Sequence, residues 1–122
     1  MCGIAGEVST PCYVIDTDAL SQNLQAVKAR ARKAGLSLLF AMKGFPLAKA
    51  FPFIQPAVEG ISASGLFEAR LGSRLGKEVH IHTPAYRAED AEEIASLCSH
   101  IVLNSPQQAA LFSHAASTRN SF

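Results

Sequence analysis

Apolar residues along the chain alternate between the spacing of buried strands and the spacing of amphipathic helices. Five short segments are rich in apolar and β-branched residues, a composition typical of strands. They span residues 13–16, 36–42, 58–63, 78–83 and 100–104. Their starts are separated by roughly 22 residues, the period of β/α units that build a parallel sheet.

A segment with helical features follows each of these strands. After the first strand, Asp16 is a suitable N-cap, and Leu20, Leu24 and Val27 lie at helical spacing before Gly35, which predicts the end of the helix. Further helices are predicted over residues 46–55, 66–75 and 88–98. The last begins at Ser105, where Ser-Pro-Gln-Gln has the spacing of a capping box.

This alternation predicts an α/β fold, a partial (β/α)8 TIM-type barrel with about five β/α units. A closed barrel needs about 250 residues, so 122 residues supply about half. A small doubly wound parallel sheet is the structural alternative. We expect an N-terminal extension over residues 1–9, part of a barrel over 10–112 and an irregular or truncated tail over 113–122. The chain is therefore interpreted as a fragment.

Composition narrows the possible partners. Eleven basic and ten acidic residues leave a formal charge of +1, with no dense basic run to attract nucleic acid or an acidic membrane. No apolar run approaches the roughly 20 residues of a membrane-spanning helix, and no secretion signal is evident at the start. Three cysteines without paired spacing are typical of reduced thiols. We expect a cytoplasmic protein.

Lys43 is the first candidate for chemistry, because it ends the apolar run of the second predicted strand. In β/α barrels the carboxyl ends of the strands form the active face. A lysine held there among apolar neighbours loses solvation, and its amine becomes a usable nucleophile for a carbonyl. The alternative is a lysine that simply reaches solvent as the strand leaves the core.

A second candidate follows the third predicted strand, where small residues precede an acid. Ser64 and Gly65 permit a close backbone approach to a ligand, and Glu68 could hydrogen-bond a cofactor ring. The alternative is an ordinary capped start of a helix, with Glu68 favoured by the helix dipole.

The histidines and the N-terminal cysteine are weaker candidates for a functional site. His80 and His82 lie on one face of a predicted strand, but no third ligand has a convincing spacing, and His100 has no partner pattern, so we expect no metal site. The start MCGIAG resembles class II glutamine amidotransferases, which would make Cys2 the nucleophile. The β/α pattern that follows it is not that of the antiparallel amidotransferase fold.

Several motifs together resemble one family. They are TPCYVID at 10–16, LFAMKGF at 39–45, SASGLFEARLG at 62–72, GKEVH at 76–80, PAY at 84–86 and IVLNS at 101–105. The chain resembles the N-terminal part of carboxynorspermidine (carboxyspermidine) decarboxylases, fold-type III pyridoxal-phosphate enzymes with an alanine racemase-like barrel. The resemblance runs over residues 10–112.

The resemblance implies a cofactor, a reaction and site residues. Lys43 would bind pyridoxal 5'-phosphate covalently, with Ala41 beside it on the same strand face. Ser64 and Glu68 would line the cofactor side, and Asn104 and Ser105 would mark the end of the fifth strand there. The whole enzyme would be a homodimer with a C-terminal β-domain, absent here, that releases carbon dioxide from a polyamine-type amino acid.

Other functions remain open on the sequence. A barrel protein could hold pyridoxal phosphate on a strand-end lysine without catalysis. A sibling decarboxylase could act on diaminopimelate, ornithine or arginine. Because the later strands and the C-terminal domain are missing, we expect the 122 residues alone to be inactive.

Overall fold

Four parallel strands form one sheet, and they follow one another across it in chain order. The computed structural model describes residues 8–119, and it describes side chains as far as residue 113. The strands are β1 (Leu39–Ala41), β2 (Gly60–Ala63), β3 (Glu78–His82) and β4 (His100–Val102). The helices are α1 (Thr17–Lys33), α2 (Phe51–Ile54), α3 (Leu66–Ser73), α4 (Ala91–Leu97) and α5 (Pro106–Arg119). Short 3₁₀ turns span Met42–Gly44, Ala48–Ala50, Gln55–Ala57 and Ala88–Asp90.

The strand order distinguishes between the two predicted architectures. A doubly wound sheet needs a reversal of strand order, and the described strands have none. Right-handed crossovers in an unreversed order place the helices on one face of the sheet, as in a β/α barrel. The prediction of an α/β fold with a parallel sheet is confirmed, with four β/α units where about five were expected.

The core lies between the sheet and its helices. Along β3 the burial alternates, because Val79 and Ile81 are buried while Glu78 and His82 are exposed. Ile61 occupies the equivalent buried position on β2. Other buried apolar residues come from the loops and helices on that side: Met42, Ala50, Phe51, Ile54, Ala57, Val58, Ala63, Ala69, Leu75, Ala91, Ile94 and Phe112. The helix-covered face of the sheet therefore contains the hydrophobic core.

Local signals set the helix ends as predicted. Asp16 Oδ1 accepts hydrogen bonds from the backbone N–H groups of Asp18 and Ala19, at 3.1 and 2.9 Å, and so caps α1. Gly35 and Gly76 have φ angles of 66° and 69°, left-handed values that glycine adopts at low cost after a helix. These stops follow α1 and α3.

The first predicted strand is wrong. Residues 13–16 form no strand and pair with no described strand, and Tyr13 and Val14 are exposed. Their β-branched and aromatic composition favours a strand only where a neighbouring strand supplies hydrogen bonds. In the described residues, β1 is paired with β2 alone.

Helix α5 differs from the prediction at its far end. Ser105 Oγ accepts a hydrogen bond from the N–H of Gln108 at 3.3 Å, which confirms the predicted cap. The helix then continues to Arg119, although residues 113–122 were expected to form an irregular tail. That expectation rested on lost apolar periodicity, which reports on burial and not on whether the backbone is helical. Ala115 and Ala116 favour a helix without needing an apolar face.

Two further expectations concern the cysteine thiols and membrane-spanning helices. Cys12 and Cys98 are both free, and burial raises the pKa of the Cys98 thiol to about 11. Cys2 lies outside the described residues. Among residues 8–119, no helix is both long and apolar enough to cross a membrane.

We predict that Gly72→Ala destabilises the fold by about 1–2 kcal/mol, net of the gain in helix propensity. A Cβ at Gly72 would lie 2.4 Å from Cδ1 of Ile61, which is fully buried and has no free space to move into. Urea unfolding followed by circular dichroism measures the difference. Gly44→Ala is the control, because a Cβ there meets no atom within 4 Å. Equal stability of the two variants would contradict the close contact between α3 and β2.

Candidate functional site

The carboxyl ends of the four parallel strands lie along one edge of the sheet, and the loops there carry most of the predicted site residues. Lys43 lies in the 3₁₀ turn that follows β1. Ser64 follows β2, Thr83 follows β3 and Asn104 follows β4 after one intervening residue. A parallel sheet brings residues that are distant in sequence to this edge, which is where α/β proteins bind ligands.

Lys43 is exposed at this edge. The sequence favoured a lysine among apolar neighbours, but the apolar character belongs to Met42 before it, whose side chain is fully buried. None of the described residues forms a hydrogen bond or ion pair with Lys43 Nζ. Its amine is therefore available to an incoming carbonyl compound.

Ala41 and Ser64 are both exposed at the carboxyl ends of β1 and β2. Ala41 is the last residue of β1, whereas Lys43 lies beyond the strand, so the two do not share a strand face as expected. The Ser64 N–H and hydroxyl both donate to the Glu68 carboxylate, at 2.7 and 2.9 Å. Glu68 therefore closes the loop before α3, whose N-cap, Gly65, has no side-chain cap hydrogen bond.

The EARLG motif of residues 68–72 is accounted for by packing of α3. Ala69 is fully buried beneath the helix. Arg70 forms two 2.6 Å hydrogen bonds with the Glu93 carboxylate of α4 and lies over the ring of Phe67. The guanidinium lowers the pKa of Glu93 through those hydrogen bonds. Gly72 completes the motif with the close approach described above.

The PAY motif of residues 84–86 joins the ends of β3 and β4. Tyr86 donates a hydrogen bond to the Val102 carbonyl at 2.8 Å, and its ring packs edge-on against Phe112 of α5, with centroids 4.9 Å apart. Burial is the main cause of the raised pKa of Tyr86. This tyrosine therefore holds two strand ends and α5 together.

Asn104 and Gln108 extend the same connection, which no sequence pattern other than the helix cap indicated. Asn104 Nδ2 donates to the Thr83 carbonyl at 2.9 Å, and its Oδ1 lies 3.3 Å from Nε2 of His82. Gln108 accepts from the Asn104 N–H and donates to the Pro84 carbonyl, at 2.8 and 3.1 Å. The loops after β3 and β4 are thus fixed in relation to each other.

The sequence did not predict a cluster of one carboxylate and two imidazole side chains that the structure brings together on the sheet. His80 and His82 share a face of β3 as predicted, but the sequence assigned His100 no partner. In the register of β3 and β4, His100 lies opposite His80, and their rings stack with centroids 4.2 Å apart. Glu78 lies beside both histidines. Strand register alone could have revealed this cluster.

Curated relatives align with most of this chain. A carboxyaminopropylagmatine decarboxylase from Synechocystis sp. is 41% identical over 97 residues, which are 79% of this chain and 25% of that protein. A carboxynorspermidine/carboxyspermidine decarboxylase from Campylobacter jejuni is 35% identical over 103 residues, 84% of this chain and 27% of that protein. The resemblance to carboxy(nor)spermidine decarboxylases is confirmed. The chain spans about a quarter of the length of these two relatives.

Solved structures agree with this result. The crystal structure of the Campylobacter jejuni carboxynorspermidine decarboxylase complexed with norspermidine has a TM-score of 0.84 and 33% identity, covering 90% of this chain and 30% of that one. A D-threonine aldolase from Filomicrobium marinum has the same TM-score at 20% identity, over 95% of this chain and 33% of that one. The aldolase shows a shared fold alone. No protein-family model matches the chain.

We predict that Gln108→Ala lowers the free energy of unfolding by about 1–2 kcal/mol, because it removes hydrogen bonds to two separate loops. Gln107→Ala is the matched control, since Gln107 is exposed on the same helix and has no hydrogen-bond partner among the described side chains. It should change stability by less than about 0.5 kcal/mol. Thermal or urea unfolding of both variants measures the difference, and similar losses would contradict the assigned role of Gln108.

Proposed function

We propose that this chain is part of a pyridoxal-phosphate-dependent decarboxylase that acts on a carboxylated polyamine. The observation that carries the proposal is the amine of Lys43 at the carboxyl end of β1, which pairs with none of the described side chains, in a chain similar to carboxy(nor)spermidine decarboxylases over most of its length. The names of the relatives support the reaction and the substrate class.

The described residues fit this cofactor. Its aldehyde needs an accessible primary amine, and Lys43 is exposed with no ion pair to any carboxylate in the described part of the chain. Its ring needs space, and a Cβ added at Gly44 or Gly65 would meet no atom within 4 Å, so the loops after β1 and β2 are open beside Lys43. Small residues at these positions allow the backbone to approach a flat ring closely.

Pyridoxal phosphate, when bound, supplies a ring that accepts the electron pair left on the substrate's α-carbon as carbon dioxide leaves. Lys43 would hold the cofactor and yield its place to the substrate amine. Ser64 and Glu68, which are hydrogen-bonded to each other, would keep the loop after β2 in a fixed conformation beside the cofactor. The network of Asn104 and Tyr86 would do the same for the loops after β3 and β4.

The alternatives are less well supported. A non-catalytic barrel that only holds pyridoxal phosphate would not be expected to match decarboxylases at 35–41% identity. The same argument disfavours diaminopimelate, ornithine or arginine as the substrate. A second candidate substrate is carboxyaminopropylagmatine, favoured by the 41% identity to the Synechocystis enzyme. Its guanidinium would replace the terminal amine of carboxynorspermidine. A homodimeric assembly and a cytoplasmic location complete the proposal.

We predict that borohydride, added to the chain with stoichiometric pyridoxal phosphate, fixes the label on Lys43 in preference to Lys28, Lys33, Lys49 and Lys77. Borohydride reduces the linkage to a stable secondary amine, and peptide mapping then locates it. Lys43→Arg should lower total labelling to background. Lys49→Arg is the matched control, because Lys49 is also exposed in a neighbouring 3₁₀ turn, and it should leave labelling unchanged. Uniform labelling of all lysines would contradict the assignment of Lys43.

We also predict that the 122 residues alone release no carbon dioxide from carboxynorspermidine, whereas the full-length protein that contains them does. The chain spans only about a quarter of the relatives, so most of their length is not represented here. Carbon dioxide release from a panel of carboxynorspermidine, carboxyspermidine, carboxyaminopropylagmatine, diaminopimelate, ornithine and arginine identifies the substrate. Turnover by the 122 residues alone would contradict the expectation, and a preference for the last three would contradict the substrate class.

A further inference from the structure

The sheet face that points away from the helices carries Glu78, His80 and His100 side by side. Glu78 and His80 are two residues apart on β3 and therefore project to the same face. His100 enters from β4, where the parallel register makes it the direct neighbour of His80. Three potential metal ligands thus come from two hydrogen-bonded strands, whose pairing fixes the relative positions of their backbones.

The distances within this cluster are those of ligands around a cation. Glu78 Oε2 lies 3.4 Å from His80 Nε2 and 3.7 Å from His100 Nε2. All three ligand atoms lie within 4.8 Å of one another. The shorter contact is a long hydrogen bond whose donor depends on the His80 tautomer, and the longer one lies beyond hydrogen-bond distance. Ligands held about 2.0–2.1 Å from a tetrahedral zinc ion are separated by about 3.3–3.4 Å, close to the shorter of these distances.

We propose that Glu78, His80 and His100 form a binding site for a divalent transition-metal ion of the zinc type. Two imidazoles and one carboxylate form a ligand set that zinc commonly takes, with the fourth position left to water or another ligand. Imidazole ligands disfavour magnesium and calcium, which prefer sites made of oxygen atoms.

The chemistry of the cluster supports a cation. Each neutral imidazole nitrogen and the carboxylate oxygen can direct a lone pair into the same small volume. A proton satisfies one nitrogen–oxygen pair at a time, whereas a metal ion satisfies all three ligands together. The two rings now stack at an interplanar angle of 22°, so both side chains must rotate before their nitrogens converge on one ion. In this chain His80 is half-buried and the other two are exposed.

This site is separate from the proposed cofactor lysine. His80 and His100 are level with Ala41 and Ser62 across the sheet. Glu78 lies two residues before His80 on β3 and is therefore further from the carboxyl ends of the strands. Lys43 lies past the end of β1, on a strand that does not adjoin β3. Metal binding can therefore be tested without reference to pyridoxal phosphate.

The test is isothermal titration of the 122-residue chain with Zn²⁺. We expect one ion per chain and a loss of affinity of at least tenfold in His80→Ala and in His100→Ala. His82→Ala is the matched control, because His82 lies on the same strand face but its Nε2 contacts Asn104 instead, and this variant should bind zinc like the parent chain. An equal loss in His82→Ala, or no loss in His100→Ala, would overturn the proposal.

Two further measurements distinguish loss of the metal ligands from unfolding of the chain, and metal binding at this cluster from binding by thiols. His100→Gln and Glu78→Gln preserve side-chain size, so they should keep the circular dichroism spectrum while weakening zinc binding. Co²⁺ should give an absorption spectrum without the near-ultraviolet band of thiolate ligands, since the proposed ligands are two imidazoles and a carboxylate. A folded parent chain that does not bind zinc, or a thiolate band with Co²⁺, would show that the proposed site is wrong.

Discussion

The contact between Ile61 and Gly72 is the constraint on which the rest of the structure depends. Ile61 is fully buried, and α3 can lie against it only because residue 72 has no side chain. That approach brings α3 onto β2 and β3 and leaves the opposite face of the sheet uncovered by this helix. Glu78, His80 and His100 lie on that uncovered face, while parallel pairing of the strands aligns the loops at their carboxyl ends.

Most of the polar residues discussed at the strand ends fix the conformation of the loops through hydrogen bonds. Lys43 differs from them, because its amine is available to react. Glu68, Tyr86 and Asn104 are each held by hydrogen bonds to a neighbouring loop or strand. Lys43 has no such bond among the described residues. Preorganised surroundings with a single free nucleophile are what covalent attachment of a cofactor requires. This division supports the proposed role of Lys43 better than its exposure alone.

Features that depend on neighbouring residues in the chain could be predicted from the sequence, and features that depend on the pairing of strands could not. The cap at Asp16 and the stop at Gly35 depend on neighbouring residues only, and both predictions are confirmed. The strand at residues 13–16 was wrong because strand formation needs a partner, which composition does not report. His100 was missed because its neighbour is 20 residues earlier and is reached only through strand register. The position of Lys43 after β1 followed from the apolar run, but its exposure depends on the loops around it.

The unreversed strand order also affects how the chain can fold. Each strand pairs with the one before it, and α3, α4 and α5 contact one another in sequence. In such a topology each strand pairing closes a crossover of about 20 residues, and no described pairing spans more than one β/α unit. During synthesis, each β/α unit can therefore dock on its predecessor as it leaves the ribosome, and the sheet can grow strand by strand from its amino-terminal edge.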